Sequence, residues 1–324
     1  MKAIVQDRYG SSDVLEFREV DRPVPGDAEV LVRVHASSVN ARDWHVMRGD
    51  PYVARLTFGL TRPKQRIQGA DFAGVVEAVG KDVTRLRPGD EVYGEADGAF
   101  AEYVCASQEV LGPKPANLTF AQAAAVPLAG NTALMGLRDV GKVRPGQRVL
   151  VNGASGGVGT FAVQLAKALG AEVTGVCSTR NVDLVRSLGA DHVVDYTRED
   201  FTRTGERYDL LFDLVGNRTL AECRRALTPT GVLVLSGGGV SEGVSLFGPV
   251  GLIIRGTLMS RFRGGRIRVL TTEPSADNLA ALCELLESGA LTPAVDRTYP
   301  LSQAAEAIRY VEVEHAGAKV VITV

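Results

Sequence analysis

The chain has 324 residues, 45% hydrophobic and 23% charged, which suits a folded protein of about two domains. Its net charge of -2 gives no electrostatic ground for a nucleic acid or an acidic membrane surface as partner. Cys105, Cys177, Cys223 and Cys283 stand far apart with no C-x-x-C pair, so a disulfide scaffold is not expected and a reducing, cytoplasmic setting is.

The N-terminus opens on a strand-like run, Ala3 to Val5, without the charged-then-apolar order of a signal peptide. To about Phe120 the pattern is short strands and turns. Glu29 to Ala36 alternates like a half-buried strand, Gly74 to Gly80 is an apolar run between glycines, and Arg87-Pro88-Gly89-Asp90 turns into Glu91 to Gly94. At Ala121 the character changes, with helical segments Ala121 to Val126 and Thr132 to Asp139, then a second turn at Arg144-Pro145-Gly146. Strands and helices then alternate: strands Arg148 to Asn152, Ala171 to Cys177, His192 to Tyr196, Tyr208 to Val215, Gly231 to Ser236 and Ile267 to Leu270. Helices fall at Thr160 to Leu169, Asn181 to Leu188 and Leu220 to Leu227. That order predicts parallel βαβ units with helices on both faces, a doubly wound α/β domain.

After about Pro274 come helix Ala276 to Glu287, strand Ala294 to Tyr299, helix Ser302 to Val313 and strand Lys319 to Thr323. The last strand is most easily placed in the first domain. The expected division is therefore residues 1–120 with 275–324, mostly β, around an inserted dinucleotide-binding domain, 121–274. Val244 to Met259 is the most apolar late run, but Gly248, Pro249 and Arg255 interrupt it and it is too short to span a bilayer. Arg255, Arg261, Arg263, Arg266 and Arg268 follow each other closely. They read more readily as a solvated face or dimer contact than as a seat for an anionic substrate tail.

The most informative stretch is Asn152-Gly153-Ala154-Ser155-Gly156-Gly157-Val158-Gly159, between a clear strand and a clear helix. Ala154, Gly156 and Gly159 fall in the G-x-G-x-x-G register with alanine in first place. Such a turn gathers backbone N–H groups and the positive end of a helix dipole, which is where a pyrophosphate binds. The alternative, a ligand-free glycine turn, is disfavoured because both flanks the motif requires are present. At the end of the second strand, Ser178-Thr179-Arg180 offers hydroxyls and a forked cation but no carboxylate for a ribose 2′-hydroxyl. That set points to NADPH over NADH, against the alternative that Arg180 only faces solvent.

With these pieces together the chain resembles the medium-chain dehydrogenase/reductase superfamily, and within it the zinc-independent, zeta-crystallin-like quinone oxidoreductase branch. The resemblance rests on Asn40-Ala41-Arg42-Asp43 with Arg48-Gly49, Gly69-Ala70-Asp71-Phe72-Ala73-Gly74, Arg87 to Asp90, Ala125-Val126-Pro127 with Thr132, and Asn152 to Gly159. It implies a Rossmann domain inserted in a GroES-like catalytic domain, the nicotinamide in the cleft between them, and a homodimer. By resemblance Asn40 lies beside the nicotinamide, Thr132 contacts the cofactor and Tyr196 borders the adenine ribose phosphate. From the residues alone, Asn40 is equally a turn residue and Tyr196 a strand-end aromatic.

The zinc-dependent relatives need a thiolate where this chain has Asn40 and a histidine where it has Ala70, and no cysteine falls between Glu95 and Tyr103. His35, His45, His192 and His315 show no ligand spacing with any cysteine, so no metal is expected. Without a Lewis acid, the fitting acceptor is a quinone or an α,β-unsaturated carbonyl, a small electrophile that spreads the developing charge. Asn40, Tyr52 and Arg48 are the candidate donors, with a pocket-wall role as the alternative for Tyr52. A short-chain reductase is disfavoured because no tyrosine is followed by lysine four places on. A cofactor-sensing binding protein and an alcohol or aldehyde dehydrogenase stay open as alternatives.

Overall fold

A computed structural model describes residues 1–236, 266–314 and 316–324. The run Val244 to Met259, together with Arg261, Arg263 and His315, lies outside the described residues. The chain divides into two compact units, Met1–Asn131 with Glu273–Val324, and Thr132–Thr272.

The first unit reaches further along the chain than the composition change near Phe120. Helix Phe120–Ala124 belongs to it and packs on strands Glu29–Val39 and Asp71–Val79. Thr119 caps this helix and Gln122 reaches back to the Thr119 backbone at 3.0 Å, a reciprocal capping box. At the two points where the chain leaves and re-enters the unit, Asn131 donates to the Glu273 carbonyl at 2.9 Å and accepts from Asn278 at 2.8 Å.

Strand Glu29–Val39 is the centre of the first unit's seven-stranded sheet. It pairs antiparallel with Asp71–Val79, with Tyr103–Ser107 and with the final strand Lys319–Thr323. Its alternation shows in the structure: Val30, Val32 and Val34 are buried with Phe72, Val76, Val92 and Val104 on one face, while Arg33 on the other is exposed. The final strand does return here, with Val320 opposite Val39 and Thr323 opposite Ala36. Two elements escape the sequence pattern. Strand Leu15–Glu19 pairs with Lys2–Gln6 and is largely exposed, so it carries little hydrophobic signal. Helix Ala41–Arg48 begins at Asn40 and ends at Gly49, whose φ of 58° is the left-handed geometry that glycine closes helices with.

The second unit is a six-stranded sheet, parallel throughout. Its order is His192–Asp195, Glu172–Cys177, Arg148–Asn152, Tyr208–Asp213, Leu227–Leu235, Ile267–Val269. In order of appearance that is 3-2-1-4-5-6, and the direction of winding reverses between Arg148–Asn152 and Tyr208–Asp213. Val149, Leu150, Val151, Leu211 and Phe212 are fully buried there, as central parallel strands covered on both faces must be. The crevice at the carboxyl ends of these two strands is where ligands bind in such sheets.

Candidate active site

The strand Arg148–Asn152 delivers the chain to that crevice. Asn152 donates to Asp213 Oδ1 at 2.9 Å and to Asn217 Oδ1 at 3.1 Å, which ties the ends of the two switch-point strands together. Gly153 then turns with φ 89°, and helix Gly157–Ala168 begins with Gly156 as its cap residue. The glycines here have separate reasons. A Cβ on Gly159 would lie 2.0 Å from the Gly153 carbonyl oxygen, so only glycine lets the helix sit this close to the turn. A Cβ on Gly156 would meet nothing nearer than that same oxygen at 3.5 Å, so its missing side chain leaves open space in front of the first helical N–H groups. Ala154 is buried in the first place of the motif, its amide donating to the Val176 carbonyl at 2.9 Å. The position calls for no left-handed backbone, which Gly153 supplies one residue earlier. Gly157 accepts from the Thr160 hydroxyl at 2.9 Å, and Val158 completes the first turn. Unobstructed N–H groups at a helix N-terminus suit an anion such as a pyrophosphate.

The residues expected at the adenine ribose follow the next strand. Ser178 and the short turn Thr179–Asn181 follow Glu172–Cys177, and the Asn181 side chain donates to Ser155 at 3.0 Å, linking this turn to the glycine loop. The Tyr196 amide donates to the Cys177 carbonyl at 3.0 Å, which sets its backbone beside the end of strand Glu172–Cys177, and its side chain is half-exposed. Sequence reasoning missed one group here. Asp195 ends the neighbouring strand, opposite Cys177, and accepts from the Thr179 hydroxyl at 2.6 Å. That bond, aided by Thr197, holds its carboxyl below the usual range. A carboxylate near this corner is therefore real, but it sits on the third strand and is engaged by Thr179, Thr197 and Arg198. Thr132 is buried at the start of this unit.

In the first unit, Asn40 sits over a buried charged network. Its Nδ2 donates to Asp71 Oδ2 at 2.9 Å and its Oδ1 accepts from Lys319 Nζ at 2.6 Å. The reverse amide orientation would set NH₂ against an ammonium and oxygen against a carboxylate, so the orientation is unambiguous. Lys319 is 2% exposed and pairs with fully buried Asp71 at 3.2 Å. Asp71 also accepts from Ser38 at 2.9 Å and from the Leu128 amide at 3.0 Å, while Ser37 donates to its backbone carbonyl. Burial of such a pair is tolerable only because these donors satisfy the carboxylate; losing one partner typically costs about 3–5 kcal/mol. Asp43 Oδ2 accepts from the Asn40 amide at 2.7 Å, whereas its Oδ1 has no partner, and burial pushes the group up to about 7. Glu95, opposite Asp71 on the adjacent strand, is pushed up to about 8 by burial and by that like charge. Lys319 was not legible beforehand, since a lysine opening an apolar strand looks like a solvated end.

Tyr52 lies beyond the other end of helix Ala41–Arg48, whose eight residues span about 12 Å, so Asn40 and Tyr52 are not neighbours along it. Tyr52 is 44% exposed. The Arg55 guanidinium is sandwiched 4.4 Å from the ring centres of both Tyr52 and Tyr9, and donates to the Gly49 carbonyl at 2.9 Å. Arg48 is bound to Glu312. Among the described residues no group of three His, Cys, Asp or Glu side chains converges as metal ligands do. Burial pushes the thiols of Cys105 and Cys177 up to about 11 and that of Cys223 up to about 12, so they stay neutral in the ordinary pH range.

A doubly wound parallel sheet with a glycine turn and a helix N-terminus at its switch point is the architecture of a pyridine-nucleotide-dependent oxidoreductase. The chain belongs to the medium-chain dehydrogenase/reductase family, in its zeta-crystallin-like quinone oxidoreductase branch. Residues 26–116 match the alcohol dehydrogenase GroES-like domain, and residues 188–322 match the zinc-binding dehydrogenase family. The mitochondrial NAD(P)H oxidoreductase of Bos taurus is 34% identical, over 100% of this chain and 89% of that protein. The chloroplastic NADPH-dependent alkenal/one oxidoreductase of Arabidopsis thaliana is 35% identical, over 99% of this chain and 79% of that protein. Among solved structures, the quinone oxidoreductase from Coxiella burnetii superposes with a TM-score of 0.88 at 32% identity, covering 100% of this chain and 99% of that one.

Proposed function

We propose that this chain is an NADPH-dependent reductase that moves a hydride to a quinone or an α,β-unsaturated carbonyl without zinc. The observation that carries the reading is the contrast within the turn: no room at Gly159, where the helix must close on its strand, and open room at Gly156, where a phosphate must approach. The activities that the Arabidopsis and Coxiella proteins are named for, alkenal/one and quinone oxidoreduction, support the acceptor class.

Bound NADPH supplies the hydride. Gly153 to Gly159 hold its pyrophosphate with backbone N–H groups, and Ser178 and Arg180 take the 2′-phosphate beside Thr179, whose own hydroxyl proton goes to Asp195, with Tyr196 along the ribose edge. Thr132 is proposed as a further cofactor contact. Zinc independence is supported by what occupies the place of the relatives' ligands. Asn40 and Ala70 carry no metal-binding group, and Asn40 is instead locked by the Lys319 ammonium and the Asp71 carboxylate. We read Asn40 as a rigid border to the nicotinamide, held so that it cannot turn toward water. Tyr52 is the proposed source of the proton that follows the hydride onto the acceptor, its ring steadied by Arg55.

The protein is further taken to be a cytoplasmic homodimer; cysteine thiols kept neutral by burial are compatible with a reducing compartment. Among the described residues no helix is long and apolar enough to cross a membrane. The test is NADPH oxidation against a panel of quinones, enones and alcohols, with and without a chelator. Turnover with quinones or enones that survives chelation supports the proposal. Loss on chelation with recovery on adding zinc would falsify the metal-free mechanism, and tight binding without turnover would make the chain a sensor.

A further inference from the structure

The parallel sheet has a second end. At the amino ends of its strands lies a cavity of about 290 Å³, lined by Arg207, Arg224 and Arg266, with Thr228 on its wall and Leu227 and Ile267 beneath. Arg207 immediately precedes strand Tyr208–Asp213, Leu227 opens the next strand and Ile267 the one after, so three adjacent strand starts converge there. Six residues at about 3.3 Å each separate this end from the nucleotide turn, which places the cavity some 17–20 Å from the coenzyme phosphates.

Among the described residues none of the three arginines forms an ion pair, and one carboxylate, Asp209, reaches the cavity wall through Thr228, so three cations face a single acid there. Glu206 pairs with Arg148 at 2.6 Å, Glu222 caps Thr219 at 2.9 Å and pairs with Arg225, and Asp209 accepts from the Arg148 amide at 3.0 Å and from Thr228 at 3.1 Å. Two of the guanidiniums are also pinned. Arg207 donates to the carbonyls of Gly205 at 3.2 Å and Glu206 at 3.1 Å, and Arg266 donates to the Pro229 carbonyl. A guanidinium carries five N–H donors in a fixed fork, so these bonds leave most of each fork unspent. Leu227 and Ile267 are 7% and 5% exposed, giving the basic rim an apolar floor.

We propose that this cavity is a second small-molecule site, for a phosphate-bearing ligand with a compact apolar body. Three arginines held around one concavity repel each other until an anion enters, and the guanidinium fork matches phosphate oxygens in pairs. The apolar floor then favours an organic phosphate over the bare ion. Solvated arginines spread over a convex face have neither the common cavity nor the floor.

Isothermal titration with inorganic phosphate and with phenyl phosphate, in saturating NADP⁺ to occupy the coenzyme site, tests the proposal. Both should bind saturably, phenyl phosphate about tenfold more tightly. Arg207→Gln and Arg224→Gln should each weaken binding about tenfold or more while leaving the KM for NADPH within about twofold of the parent. Arg203→Gln, a 76% exposed arginine outside the cavity, should change neither. Absence of saturable binding up to about 10 mM, or equal affinity in parent and both cavity variants, overturns it. If NADP⁺ itself does not bind, the cavity variants still read this site alone, so the two proposals fail independently.

Discussion

Arg180 offers a forked cation beside two hydroxyls, and the 2′-phosphate is the only part of NADPH that NADH lacks. Arg180→Ala should raise the KM for NADPH by about 10- to 100-fold, the usual worth of a charge-assisted hydrogen bond, and that for NADH by less than about threefold. Equal effects in steady-state kinetics with the two cofactors would remove the assignment. Tyr52 asks a different question, because its ring and its hydroxyl can be separated. Tyr52→Phe keeps the stack on Arg55 and deletes only the proton, so kcat should fall about 100-fold with little change in KM. An unchanged kcat reduces Tyr52 to a pocket wall. Single residues were legible in the sequence only where chemistry has a local grammar. Arg180 stands out because an acid is missing beside it. Asp195 and Lys319 do not, because what matters about each is a partner that only the fold brings close: Thr179 just past the end of the neighbouring strand, and Asn40 at a separation of 279 residues.

At the scale of elements, the glycine turn makes two substitutions of equal size behave differently. Gly159→Ala places a methyl 2.0 Å from a backbone oxygen and must push the helix off its strand, so it should lower stability by about 1–3 kcal/mol in denaturant unfolding. Gly156→Ala meets no protein atom closer than 3.5 Å and should leave stability within about 0.5 kcal/mol, while weakening NADPH binding about tenfold or more. The opposite ranking would mean that the open space in the turn is not where the phosphates lie. The strand–turn–helix unit and the alternation around it could be read directly, since parallel strands and amphipathic helices announce their periods. Helix Ala276–Glu287 and strand Lys319–Thr323 have the boundaries that their patterns predict. Strand Leu227–Leu235 starts four residues before the apolar run at Gly231, because Leu227 already pairs with Tyr208 ahead of an irregular stretch through Thr228, Pro229 and Thr230, and the ladder resumes at Val232. Helix Ala41–Arg48 was hidden by its mean polarity: only Asp43, Trp44 and Met47 are buried.

For the molecule as a whole, the buried acids predict how stability depends on pH. Asp43 and Glu95 are pushed up to about 7 and about 8 by burial, from ordinary unfolded values of 3.8 and 4.5. Their protons are held more tightly in the folded state, so their contribution is complete below pH 4 and is lost as pH rises through 7 to 8. Burial lowers His35 and His45 below 6.5, which acts in the opposite direction but is finished above that value. Between about pH 6.5 and 8.5 the Tm should therefore fall, and Asp43→Asn should flatten the lower half of that fall in a thermal melt series. A Tm that rises over this window would contradict the buried network. The two-unit plan was readable because the last strand had no partner in the α/β half; the position of the division was not, since the Ala-rich segment after Phe120 is helical in both units. What joins these scales is the proposed seat of a nucleotide on the mid-chain glycine turn. The most direct measurement is a fluorescence titration of NADPH into the folded chain. Saturable binding at micromolar concentration, weakened in Gly156→Ala, is the result predicted; a folded protein that leaves NADPH unbound contradicts the account at its root.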